Sequence, residues 1–207
     1  MALCALPFAV TERFFYPDYW QPPVLFDLID TIGFGIEDVL FVVGLAAFAS
    51  TAYAVVGQVT FVADGGRRRC PARLLILFGS ASAAVAVSLL LGVPLIFAAP
   101  VIMVAVCAVI CVRRRDLIRP VLVGGGATVV VYSLLCLVYI RFIPDVFHVV
   151  WNTDAFSDIF VAGIPLEEML YALASGMAAT AFYPYVFGRR YVRRRPSPAD
   201  GRPERTD

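Results

Sequence analysis

The sequence predicts an all-α integral membrane protein of about five transmembrane helices, N-terminus out and C-terminus in, with an internal parallel repeat over 26–53 and 156–183. Composition, five long apolar stretches and the placement of arginine predict it. Of 207 residues, 60% are hydrophobic and 16% charged, with mean hydropathy +0.82. Soluble domains carry roughly 25% charged and 45–50% apolar residues, so a soluble enzyme is excluded. Five cysteines form no spaced disulfide framework. All 17 basic residues are Arg, which excludes lysine Schiff-base chemistry, and His148 alone cannot build a multi-histidine metal site.

The five apolar stretches cover about 34–62, 72–91, 93–112, 120–142 and 161–187, each long enough for a helix of ~20 residues to cross a bilayer. Each break has a local cause. Gly65-Gly66 and Arg67-Arg68-Arg69 end the first span, and Gly92-Val93-Pro94 folds the second and third into a hairpin. Arg113-Arg114-Arg115 with Pro120 precede the fourth span, and Pro144 follows it. Four Arg lie in 63–73, four in 113–119 and seven after 188, so fifteen of 17 fall on one face of a five-span chain. The positive-inside rule makes that face cytoplasmic and the chain a multi-pass protein of the cell membrane. Residues 1–190 then form one membrane domain, and the Pro- and Arg-rich 191–207 reads as a disordered cytoplasmic tail. Nothing in the pattern points to nucleic acid.

Residues 26–53 and 156–183 align without a gap at an offset of 130. Phe26, Ile29, Gly33, Glu37, Leu40, Ala49 and Tyr53 recur as Phe156, Ile159, Gly163, Glu167, Leu170, Ala179 and Tyr183. Asp38 faces Glu168, and Phe41 faces Tyr171. Both copies enter the membrane from the same side, which makes the repeat parallel.

The paired acids carry the candidate chemistry. Ionisable residues at the head of a span are costly and mark function, although acids in a first helical turn also suit the helix dipole. Glu37, Asp38, Glu167 and Glu168 brought into one low-dielectric pocket cannot all be ionised, which provides a proton donor beside a base. Phe41 and Tyr171 lie one turn below the first acid of each pair, where a ring face stabilises a cation. Trp151, beside the second acidic pair in the outer loop, is a further candidate of that kind. Asp27-x-x-Asp30 and Asn152-x-Asp154-x-x-x-Asp158 read as solvated loops before a Mg²⁺-diphosphate site. Gly124-Gly125-Gly126 reads as close helix packing. Cys107 and Cys111 share a helix face but, with the other cysteines dispersed, imply no metal site, and no cofactor is expected.

Gly163-Ile164-Pro165-Leu166-Glu167-Glu168-Met169-Leu170-Tyr171 resembles the Pro-x-Glu-(Glu/Asp) motif of lycopene cyclase domains. The resemblance covers 93–187 as one three-helix domain and 14–62 as a partial first copy, with Gly35 where the second copy has Pro165. It implies carotenoid biosynthesis: cyclisation of lycopene end groups with no redox change, catalysed by Glu167 and Glu168 and, through the repeat, by Glu37 and Asp38. The implied partners are a lipophilic polyene, the membrane, and a second cyclase subunit or another copy of the chain. Competing readings are a lipid or carotenoid carrier, a non-catalytic partner subunit and a membrane prenyltransferase. A topology reporter fused after residue 195 is expected to read as cytoplasmic; an extracytoplasmic signal contradicts the five-span assignment.

Overall fold

A computed structural model describes residues 5–23, 25–65, 71–152 and 157–193. Five long helices dominate: α1 (Ile36–Val56), α2 (Pro71–Leu90), α3 (Leu95–Arg113), α4 (Ile118–Phe142) and α5 (Leu166–Phe187). Among the described residues, α1 to α4 are long and apolar enough to cross a membrane. The fifth is as long but more polar, with Glu167, Glu168, three tyrosines and Pro184. That polarity has a place, because α5 is the central helix and packs against α1, α3 and α4, while α2 leans on α3. Outward-facing side chains are large and apolar, among them Leu75, Leu90, Val112, Leu122 and Leu135. Apolar exposure on this scale requires a lipid environment.

Local chemistry sets the helix ends. The Gly35 N–H donates to Asp38 Oδ2 at 2.6 Å and so closes the start of α1. Pro94 and Pro165 precede α3 and α5, where a missing N–H is harmless. Gly188, at φ +58, ends α5 in the left-handed conformation that glycine tolerates. Inside α5, Pro184 cannot donate to the Thr180 carbonyl, and the Tyr191 hydroxyl donates there instead at 3.2 Å.

Two expected spans are shorter than the apolar runs. The run 34–62 stops being helical at Val56: Gly57 and the left-handed Gln58 break it, and Val59–Ala63 forms strand β1. The run 161–187 begins with a tight hairpin, β2 (Phe160–Val161) and β3 (Ile164–Pro165), turning through Ala162 and Gly163 at positive φ. The tail boundary expected at 191 also falls inside structure, since Arg189–Arg193 forms β4, antiparallel to β1 with Phe61 opposite Tyr191. The rest of that tail, from 194, lies outside the described residues.

The ends of the bundle differ in character. At one, buried Arg114 holds Asp116 side-on through Nε and Nη2, at 2.9 and 2.5 Å, and donates to the carbonyls of Pro184 and Arg189. Arg73 donates to the Tyr185 carbonyl beside it. At the other end, the loops carrying Trp20 and Trp151 meet.

Between α4 and α5 the backbones approach closely. A Cβ on Gly176 would lie 2.5 Å from Thr128 Oγ1, one on Gly125 2.6 Å from Met177, and one on Gly124 would collide with Thr180. This is the packing role expected of Gly124 and Gly125, whereas Gly126 faces open space. Gly176→Val is therefore expected to destabilise the protein by about 1–3 kcal/mol through overpacking. Gly126→Ala leaves stability equal or slightly higher. Thermal unfolding in detergent checks both.

Candidate functional site

The two Trp-bearing loops are joined by backbone bonds from Gln21 N–H to the Val150 carbonyl (2.7 Å) and from Asn152 N–H to the Tyr19 carbonyl (2.8 Å). The Trp20 and Trp151 rings meet at a tilt of 42°, with centroids 5.4 Å apart. This clasp lays Tyr19 and Trp151 over the head of α5. Glu168, only 6% exposed, receives the Tyr19 hydroxyl at 2.8 Å and Trp151 Nε1 at 3.0 Å on Oε1. The Tyr132 hydroxyl, from the middle of α4, donates to Oε2 at 2.5 Å. Three donors converging on two oxygens fit an ionised carboxylate, which only accepts. Burial first, then the charge of Glu168, pushes the Tyr19 hydroxyl far above its ordinary range, which keeps it a donor.

Beneath lies a cavity of about 700 Å³, lined by α1, α4, α5 and the helical turns of Leu6–Phe14. Asp38, 4% exposed, reaches it from α1. Glu12 reaches it from the Leu6–Phe14 segment and accepts a hydrogen bond from Trp20 Nε1. Burial and the nearby charge of Asp38 push the Glu12 carboxyl up to about 7, against the opposing effect of the Trp20 bond. Phe41, Tyr171 and Trp151 also line the cavity.

The four expected acids are thus divided. Asp38, Glu37 and Glu168 line the cavity, and Glu167 does not. Neighbours on a helix point ~100° apart, so a pair at a helix head serves two directions. Glu167 Oε1 turns away to accept the Ser157 N–H at 2.8 Å, and Glu37 Oε1 accepts the Leu25 N–H at 2.9 Å. The second oxygen of each is buried and meets no hydrogen-bond partner among the described residues.

Glu12, Tyr19 and Tyr132 escaped the sequence reading. Tyr132 carried a usable signal, since a hydroxyl in mid-membrane needs a partner. Of the other candidates, His148 is exposed and meets the Phe160 ring at a tilt, with centroids 5.1 Å apart. Asp30 and Asp158 face outward, and Asp154 lies outside the described residues.

No curated protein and no solved structure matches the chain. The lycopene cyclase family model matches residues 94–186, which holds α3, α4 and α5 and, with them, Tyr132, Trp151 and Glu168. The chain therefore carries a lycopene cyclase family domain over residues 94–186.

Proposed function

We propose that the chain cyclises lycopene end groups inside the membrane by acid–base catalysis. The observation that carries the reading is Glu168, held by three donors at the head of an apolar cavity, within the segment that matches the family. Lycopene enters sideways. The cavity lining includes Leu40, Phe41, Leu135 and Phe142 of α1 and α4, all exposed on the surface that faces lipid.

The roles follow from the surroundings of each acid. Glu12 is the proton donor, protonated near neutrality beside Asp38. Its proton adds to the terminal double bond and leaves a tertiary cation. The neighbouring double bond attacks that cation, closing a six-membered ring and moving the charge into it. Glu168 removes a ring proton, so one proton enters, one leaves, and no electrons are exchanged. Phe41, Tyr171 and Trp151 present ring faces to the cation, and a dry cavity keeps water from trapping it. Glu37, on the cavity wall, and Glu167, off it, hold the chain at Leu25 and Ser157 and so shape the site. This assignment departs from the sequence expectation that Glu167, Glu168, Glu37 and Asp38 together carry the catalysis.

The internal repeat belongs to the same reading and is supported by pairs 130 residues apart. Helices start at Ile36 and Leu166, and strands at Val59 and Arg189. Gly33 and Gly163 share positive φ, at 88° and 82°. Phe61 and Tyr191 face each other in the strand pair. The arginine-rich end, with Arg73, Arg114 and Arg189, is then the cytoplasmic one, and the acidic end lies outside.

General acid–base catalysis is worth about 10²–10⁴ in rate. Glu168→Gln and Glu12→Gln, which keep shape, are each expected to lose that much in cells or membranes supplied with lycopene. Parental rates in both, and in the double variant, contradict the mechanism. The pH dependence has a definite sign. Glu12 is protonated below about 7, so the rate falls as pH rises through that value. An activity that rises across the same range contradicts Glu12 as the acid.

A further inference from the structure

A second cavity, of about 240 Å³, lies deeper in the bundle between α1, α2, α3 and α5. Thr11, Val42, Leu45 and Tyr171 line both cavities, so the two meet at a common wall. From there the second runs toward the arginine-rich end, past Ala49 on α1 to Ile110 on α3 and Phe182 on α5. Among the described residues no charged side chain lines it, and the Ser175 hydroxyl on its wall is already bonded to the Ala172 carbonyl at 3.1 Å.

We infer that this second cavity seats the hydrocarbon chain of an extended polyene whose end group occupies the carboxylate cavity, so that the bound molecule runs along the helix axes with Tyr171 at the junction. The inference rests on the cyclase reading for the end group and adds the path of the rest of the chain. Three observations carry it.

The first is what makes the space. Ala46, Ala81 and Ala178 come from three different helices and face the cavity. Small residues in membrane bundles usually draw helices together, as Gly125 and Gly176 do between α4 and α5. Here they line open volume instead, and an apolar occupant restores the dispersion contacts the walls lack. The second is continuity, since the cavity begins at the wall it shares with the acid site. The third is direction and reach. Fourteen residues of α5 separate Glu168 from Phe182, a rise of about 21 Å at ~1.5 Å per residue. A stiff conjugated chain cannot fold back inside the first cavity, and the second offers it a continuation with no charged side chain on the described wall to desolvate.

The test fills the second cavity without touching an acid. Ala178→Trp is purified in detergent beside the parental protein, with Ala46→Trp as a second filling variant from another helix. Lycopene binding is read from the shift of its visible absorption, and turnover is compared between lycopene and a short polyene bearing the same acyclic end group. The expected result is at least tenfold weaker lycopene binding and at least a tenfold change in the turnover ratio in favour of the short substrate. Parental lycopene binding and an unchanged ratio in a variant of parental thermal stability overturn the inference, and the cyclase reading survives. An equal loss on both substrates also overturns it. If the parental protein binds lycopene, loses that binding on filling, yet forms no ring, the path stands and the cyclase reading fails.

Discussion

A carboxylate as buried as Glu168 costs several kcal/mol in an apolar bundle unless donors replace the water it has lost. Its three donors come from separate parts of the chain: Tyr19 before the first long helix, Tyr132 in α4 and Trp151 in the loop after it. Meeting that one requirement draws the Trp20 and Trp151 loops into contact and caps the bundle at its acidic end. Beside this cap lies a largely apolar cavity with Glu12, Glu37, Asp38 and Glu168 on its wall. On the proposed reading this combination suits an apolar substrate, because water would quench a carbocation.

At the opposite end arginine does the corresponding structural work. Arg114 ties the junction of α3 and α4 to the C-terminal end of α5 through the Pro184 and Arg189 carbonyls. Pro184 frees one carbonyl, and strand β4 returns Tyr191 to satisfy it. The bundle is therefore clamped at both ends, while its middle, lined by alanines on α1, α2 and α5, is left open. Tight glycine packing of α4 on α5 and loose alanine walls around the second cavity are two outcomes of the same small-residue chemistry. What separates them is whether a neighbouring backbone fills the gap.

Much of this was legible in the sequence. The five helices follow from apolar runs of membrane-crossing length, and the acidic pairs stand out because they recur at one offset. The strands at Val59–Ala63 and Arg189–Arg193 were hidden in those runs, since β-pairing depends on a partner 130 residues away and leaves no periodic trace in five residues. Sequence could not say which of the paired acids face the cavity: Glu37 and Asp38 both do, but only Glu168 of the second pair. That depends on helix rotation, which the packing of α5 against three neighbours sets. Glu12 was illegible for another reason. It lies outside every apolar span and every repeat, and only the fold of Leu6–Phe14 across the bundle's end brings it beside Asp38.

The most direct test of an acid–base site working on an alkene is where the new ring hydrogen comes from. Membranes containing the protein are supplied with lycopene in heavy water, and the cyclised product is weighed by mass spectrometry. The account predicts one solvent deuteron per ring closed, with no oxygen gained and no hydrogen lost overall. A ring formed without solvent deuterium, or a product changed in oxidation level, contradicts proton donation by a carboxyl in this cavity.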